Sequence, residues 1–398
     1  MKNILILTTT SDFLEKFEKS DVKILKDMGC HIHYAANTKE EQPLFSEKEV
    51  TSMGIRIHDL DIERSPYMLR NNVRALRQII KIVREHDIDL IHCHTPVGGV
   101  LGRLAGRYFR KRGLKVIYTA HGFHFYKGAP LLNNTVFYWV ERIMAHYTDI
   151  LVVINQEDYE SGCKFRLRKG GKVYYIPGVG LDLMKYAPMS EDKRSQKRKS
   201  LGVKENEFFL VSVGELNENK NHVVVLKMLA GLKRSSSGLK VKYGICGDGF
   251  FRERMERWIR QAGLEEEVCI YGFTRQVPDI VGCADALIFP SKREGLGMAA
   301  LEALSMGIPV LASDNRGTRE YMEDGKNGFV CKYNDVNGFL KGIRKLQVMQ
   351  TEEREKMSQA CRASVERFAK KYSDKIMREV YRELEKMDVP FYEGVREE

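Results

Sequence analysis

The sequence predicts an α/β protein made of two doubly wound parallel-sheet, Rossmann-like domains. Short apolar runs such as Ile4-Leu5-Ile6-Leu7 and Ala286-Leu287-Ile288-Phe289 recur along the chain, each the length of a strand buried on both faces. Segments of helical periodicity lie between them, and strands that alternate with helices form a parallel sheet. The 398 residues suffice for two domains with separate cores. A polar, charged stretch over residues 185–206 reads as the linker, which divides the chain into residues 1–184 and 185–372.

In the first domain, Lys2 to Leu7 is a buried strand and Thr8-Thr9-Thr10-Ser11 its polar loop. A helix running through Lys26 and a strand over residues 32–36 follow. Residues 68–84 form an amphipathic helix, with Leu69, Val73, Leu76, Ile80 and Val83 as its apolar face. Arg70, Arg74, Arg77, Lys81 and Arg84 make a basic stripe along the same helix, and Arg103, Arg107, Arg110, Lys111 and Arg112 a second cluster. Such charges serve a solvated face or an anionic membrane surface. Leu90 to Pro96 is a strand running into a loop, and the strand over 116–120 delivers His121-Gly122-Phe123-His124-Phe125 at its carboxyl end, where ligands bind in open parallel sheets. The aromatic run with Phe123 and Phe125 is apolar for a loop, so it is either core or the lining of an acceptor groove.

The second domain opens at Phe208 with a strand leading to Gly214, and strands at 240–246 and 268–271 continue the alternation. Ala286 to Phe289 is a buried strand, followed by Ser291-Lys292-Arg293-Glu294-Gly295-Leu296-Gly297 and then the helix-forming Met298-Ala299-Ala300-Leu301-Glu302. A helix start offers unpaired amides and a partial positive charge, which suits a phosphate. The last helix, over residues 351–384, breaks near Phe368 and Tyr372, and the tail from Asp388 is polar.

Composition narrows the function. The net charge of +11 fits an anionic substrate or membrane, while no helix-turn-helix, zinc-finger or ribonucleoprotein pattern points to nucleic acid. The chain has no apolar run of membrane-spanning length, and its opening apolar run over residues 1–7 is short for a signal peptide, so a cytoplasmic place is expected. Eight cysteines without a Cys-Xaa-Xaa-Cys pair fit reduced thiols. The triplets Asp59-Leu60-Asp61 and Asp87-Ile88-Asp89 lie at polar turns away from the glycine turn, and no metal or other cofactor is expected. Gly247-Asp248-Gly249 lacks the rest of a dinucleotide fingerprint.

Glu294 and Glu302 with the glycine turn between them, Gly272-Phe273 upstream, Gly307-Ile308-Pro309-Val310 and Asp324-Gly325-Lys326-Asn327-Gly328 downstream resemble the donor site of retaining glycosyltransferase family four. The resemblance implies the GT-B architecture, with two domains facing a cleft and the final helix, residues 373–398, packed back on the first domain. It implies a UDP-sugar donor: Glu294 orients the sugar and Glu302 the ribose. Gly214, Gly272, Phe273, Gly295, Leu296, Gly297 and Met298 would line the donor site. Lys220 neutralises the leaving diphosphate, and His121 is the active-site histidine of the first domain. The string His121-Gly122-Phe123-His124-Phe125 resembles the capsule and exopolysaccharide branch, whose acceptors are polyprenyl-diphosphate saccharides. Acceptor or membrane contacts are then expected of His94, Phe123, Phe125, Arg70, Arg74, Arg77, Lys81, Arg103 and Arg107, at the inner face of the cell membrane. Two departures stand out: Thr8 to Ser11 replace a glycine-rich loop, and Glu215 stands where the family has an arginine, with Arg275 or Lys292 as substitutes. A sugar-nucleotide epimerase or oxidoreductase, and a non-catalytic scaffold of polysaccharide assembly, remain as alternatives.

Overall fold

The structure, a computed structural model, describes residues 2–40, 42–235 and 238–386. It divides into two compact units, Met1–Gly180 with Lys371–Glu398, and Leu181–Lys370. The final segment from Asp388 lies outside the described residues.

The first unit holds β1 (Asn3–Thr10), β2 (His31–Asn37), β3 (Arg56–Asp59), β4 (Leu90–His94), β5 (Lys115–Ala120), β6 (Ile150–Val153) and β7 (Lys172–Tyr175), in the order β3-β2-β1-β4-β5-β6-β7. All neighbours pair in parallel. Consecutive parallel strands need a crossover, and helices such as Leu69–Glu85 and Pro96–Tyr108 supply it. The helix Pro96–Tyr108 lies close on the sheet because glycines face it: a Cβ on Gly99 would sit 2.4 Å from the Tyr118 ring, and one on Gly106 2.2 Å from Val116.

The second unit holds β8 (Phe208–Val213), β9 (Val241–Cys246), β10 (Val268–Gly272), β11 (Ala286–Phe289), β12 (Val310–Ser313) and β13 (Gly328–Cys331), in the order β10-β9-β8-β11-β12-β13, again parallel. Strand order reverses between β1 and β4 in one unit and between β8 and β11 in the other. Loops leaving the carboxyl ends at such a switch point splay apart and leave room for a ligand.

Two expectations change. Of the expected apolar face of the helix Leu69–Glu85, Val83 is buried and Leu76 and Ile80 pack against the core, but Leu69 and Val73 are exposed, and Asn72, Ala75, Ile79 and Ile82 are buried as well. Residues Ile79, Ile82 and Val83 belong to the core shared with the helix Pro96–Tyr108, whereas Leu69 and Val73 lie beyond its edge. The charged stretch predicted as a linker contains the helix Glu191–Ser200, held by Arg194 and Arg198 on Asp285 at 2.6 and 3.0 Å. The long last helix breaks at Phe368 as expected, into Thr351–Val365 and Lys370–Lys386 separated by a 3-10 turn at Glu366–Phe368. Tyr372 lies inside the second of them, in the unit that also contains β1 to β7.

Candidate active site

The loop after β8 and the loop after β11 meet at the switch point of the second unit. Asn219 Nδ2 donates to the Arg293 carbonyl (2.9 Å), the Lys292 amide donates to the Asn219 carbonyl (2.8 Å), and Asn221 Nδ2 donates to the Pro290 carbonyl (3.1 Å). Asn221 takes a left-handed conformation (φ 56°), which asparagine tolerates better than most residues. These bonds aim Lys220 at Glu294, and its Nζ lies 2.7 Å from Glu294 Oε1. Both side chains keep an opening to solvent, 22% for the lysine and 13% for the glutamate. Gly214 gives the lysine its channel, since a Cβ there would press on the Lys220 methylenes at 3.0 to 3.3 Å.

Gly297 (φ 95°) caps the helix Met298–Ser305, and no side chain caps that end. The turn is packed from beneath: a Cβ on Gly297 would lie 2.8 Å from the Phe289 ring, and the Tyr321 hydroxyl donates to the Leu296 carbonyl at 3.1 Å. Leu296 is therefore buried, while Gly295, Gly297 and Met298 are partly open. Glu302 stands in the second turn of this helix, and burial pushes its carboxyl up to about 7, against the Tyr186 phenol and Lys185. Ser305 donates to the Tyr186 carbonyl (2.9 Å) and so fixes that phenol's backbone. At the end of β10, Gly272 (φ 69°) accepts from the Gly247 amide (2.8 Å), and Phe273 is 45% exposed.

The departure at Glu215 has a local consequence. Glu215 is exposed, and Lys292 Nζ is engaged by Glu218 at 2.8 Å, so the loop carries a cation held by its own acid. Arg316 was not anticipated from the sequence; its Nε lies 3.4 Å from the Glu294 carbonyl and the residue is buried. Gly247-Asp248-Gly249 packs close on the end of β8, where a Cβ on Gly247 would lie 1.9 Å from the Gly214 carbonyl oxygen. Asp59 and Asp61 share the Lys39 ammonium at 3.0 and 2.8 Å.

In the first unit the ends of β4 and β5 bring His94 and His121 together, Nδ1 to Nε2 at 3.1 Å. The same His94 nitrogen is 3.3 Å from Glu18, and His92 bonds Thr119 and Tyr381, both at 2.8 Å. Tyr381, on the last helix, donates to Asp21 (2.9 Å). Burial holds His121 at about 4 and His92 at about 3, so both are neutral near pH 7, and it raises Asp21 to about 7 and Glu18 well above the carboxylate range. A cavity of about 20 Å³, room for one water, opens between His94, His121, Glu18 and Ser373. Nothing in local sequence marks Glu18, Asp21 and Tyr381 as partners of these histidines, since they are joined only by the sheet and the last helix.

Several expected acceptor or membrane residues are placed elsewhere. Phe123 and Phe125 stack on each other (4.8 Å, 15°) and pack with Phe165 in the core, so they line no groove. Arg103 is 1% exposed; it pairs with Glu141 at 2.7 Å, donates to the Gly99 carbonyl and lies over the Tyr118 ring at 4.0 Å. The glycine-faced helix turns that position toward the core, where only a paired guanidinium is tolerated. His94 is also fully buried, reachable only through its polar neighbours. Arg70, Arg74, Arg77, Lys81 and Arg107 are exposed as expected.

Two parallel-sheet α/β units, each with a switch point at the carboxyl ends of its strands, make up the GT-B architecture. Residues 22–179 match Glycosyltransferase Family 4, and residues 193–364 match Glycosyl transferases group 1. The chain is 36% identical to the putative glycosyltransferase EpsD of Bacillus subtilis (strain 168), over 97% of its own length and 98% of the relative's. It is 28% identical to the Escherichia coli UDP-Gal:alpha-D-GlcNAc-diphosphoundecaprenol alpha-1,3-galactosyltransferase, over 70% of this chain and 72% of that one. Anabaena Alr3699/HepE, solved in complex with UDP and glucose, shares the fold at a TM-score of 0.76 and 19% identity, with 96% of this chain and 100% of that chain covered. The chain belongs to glycosyltransferase family 4, on its capsule and exopolysaccharide side. The epimerase and scaffold alternatives fall with that membership.

Proposed function

We propose that this glycosyltransferase moves a hexose or N-acetylhexosamine from a UDP-sugar to a polyprenyl-diphosphate-linked saccharide, with retention at the anomeric carbon. The observation that carries the reading is the Lys220–Glu294 pair at 2.7 Å beside the uncapped start of the helix Met298–Ser305. A diphosphate reaching that helix start competes for the lysine, which leaves Glu294 free to accept hydrogen bonds from the donor sugar. The cation then stabilises charge that grows on the leaving oxygen. Glu302, once ionised, accepts from the ribose hydroxyls, and the turn amides of Gly295 to Gly297 hold the donor near its diphosphate.

His121, assigned as the first domain's catalytic histidine, is a neutral imidazole near pH 7 and so offers a hydrogen bond rather than a charge. No side chain beside Glu294 is a ready nucleophile, so the departing phosphate oxygen takes the acceptor's proton as the new glycosidic bond forms and the sugar–phosphate bond breaks. The transfer needs no metal. The E. coli relative's acceptor, a diphosphoundecaprenol, supports a lipid-linked acceptor here. Two further features support work at the anionic inner face of the cell membrane. The exposed arginines of the helix Leu69–Glu85 stand beside exposed Tyr67, Met68, Leu69 and Val73, and the helix Leu131–Ala145 exposes Leu131, Val136, Trp139 and Ile143. No helix of the described residues is long and apolar enough to cross a membrane.

The test is transfer from a panel of UDP-sugars to a short polyprenyl-diphosphate saccharide, with the anomeric configuration of the product read by NMR coupling. Lys220→Ala and Glu294→Ala are each expected to lower turnover by about 10²- to 10³-fold with the fold intact. Wild-type turnover in either variant, or an inverted product, sinks the proposal.

A further inference from the structure

Away from this chemistry, three histidines converge at the edge of the first unit's sheet. His33 lies on β2, His58 on the neighbouring edge strand β3, and His86 caps the end of the helix Leu69–Glu85. Their rings are 4.8 to 5.2 Å apart centre to centre, and His33 Nδ1 lies 2.9 Å from His58 Nε2. One ligating nitrogen from each can be chosen so that all lie within 4.8 Å of one another. From these positions we infer that His33, His58 and His86 form a site for one divalent transition metal ion of the zinc class, with water completing the coordination.

Geometry and chemistry both support it. Zinc binds imidazole nitrogen at about 2.0–2.1 Å, so tetrahedral ligands stand about 3.3 Å apart. The His33–His58 pair is already closer than that, and His86, half-buried at a helix end, has to approach by roughly an ångström. His33 is 6% exposed and fixed by its strand, while His58 and His86 are half-buried and open toward solvent, which leaves a fourth position for water. His86 Nδ1 accepts from the exposed Arg56 guanidinium (3.2 Å), so Nε2 is the nitrogen left for the ion, and Arg56 can swing outward. Without an ion, three neighbouring imidazoles gain a single direct hydrogen bond among them, a poor return for the burial of His33.

The second histidine cluster, Glu18 with His92 and His94, is a weaker host, because both His92 nitrogens are already bonded to Tyr381 and Thr119. The trihistidine site is separated from it sideways, at the β3 edge of the sheet: β2 stands two strands from β4, with His33 level with Ile91 and His58 level with Cys93. An ion there would tie the edge strand and the helix end to β2, and would act on stability rather than on transfer.

Untagged protein stripped with EDTA is titrated with Zn²⁺ by calorimetry and with Co²⁺ by visible absorption, and its thermal midpoint is followed with and without Zn²⁺. One equivalent is expected, with a tetrahedral Co²⁺ spectrum free of thiolate charge transfer and a higher midpoint with Zn²⁺. The double variant His58→Gln/His86→Gln should bind at least about 100-fold more weakly, show no midpoint shift, and keep wild-type transferase turnover. No saturable binding, a thiolate band, or undiminished affinity in the double variant overturns the site.

Discussion

At the scale of single residues, burial decides which charges are usable. Glu302 has its carboxyl raised to about 7 by burial, so near neutral pH a good part of it is protonated before a donor binds. Ribose hydroxyls need the ionised form as acceptor, so donor affinity should rise as pH climbs from 6 to 8, approaching about tenfold per unit below the carboxyl's own value. UDP-glucose suits the measurement because its diphosphate diester does not titrate in that range. Calorimetry over this window should show the slope in the wild type and a flat profile in Glu302→Gln, and a slope surviving in the variant would remove Glu302 from the ribose site. Arg103 teaches the opposite lesson. Its ion pair with Glu141 is buried, so Arg103→Ala leaves a carboxylate unpaired and should cost about 3–5 kcal/mol in chemical denaturation. A loss below about 1 kcal/mol would mean Glu141 finds another partner.

Among the elements, the helix Leu69–Glu85 shows how a pattern can point two ways. Its sequence offers one apolar stripe at helical spacing, and the core takes the later part of it, Leu76, Ile80 and Val83, together with Ala75, Ile79 and Ile82, and leaves Leu69 and Val73 outside among Arg70, Arg74 and Arg77. Exposed apolar residues interleaved with arginines fit a helix lying on an anionic bilayer. Replacing Arg70, Arg74 and Arg77 by alanine should weaken partition to vesicles containing anionic lipid by roughly 100-fold, with little change in thermal stability. Equal binding to vesicles of purely zwitterionic lipid would show that charge has no part in it. The glycine turn before the helix Met298–Ser305 was legible because Gly297 has to adopt a positive φ over the Phe289 ring, a requirement few residues satisfy.

For the whole molecule, the balance of buried titratable groups sets the response to acid. His33, His58, His92, His94, His121 and His222 all have pKa values lowered, chiefly by burial, and in the unfolded chain each binds a proton near pH 6.5. Between about pH 4 and 6.5 the unfolded state therefore holds more protons at these sites, and stability rises with pH. Glu18, Asp21 and Glu302, with raised values, act in the opposite sense, since their contribution is complete below pH 4 and fades as pH rises toward 7. Six histidines outnumber three carboxyls, so the metal-free thermal midpoint should climb from pH 4.5 to 6.5. A midpoint that falls over that interval would mean the carboxyl network of the first unit dominates.

Periodicity and glycine placement in the chain alone determined the two parallel sheets and the glycine turn between Glu294 and Glu302, because strand length, helix spacing and positive-φ turns are local properties, whereas Lys220 and the donor role of that turn came from the resemblance to glycosyltransferase family four. Tertiary structure alone decided what the side chains face. It put Phe123, Phe125 and Arg103 in the core and made the charged stretch after residue 185 a helix pinned by Asp285. It also gathered His33, His58 and His86 from three separate elements. Which side of an element is covered depends on neighbours far away in sequence, and no spacing within the element records them.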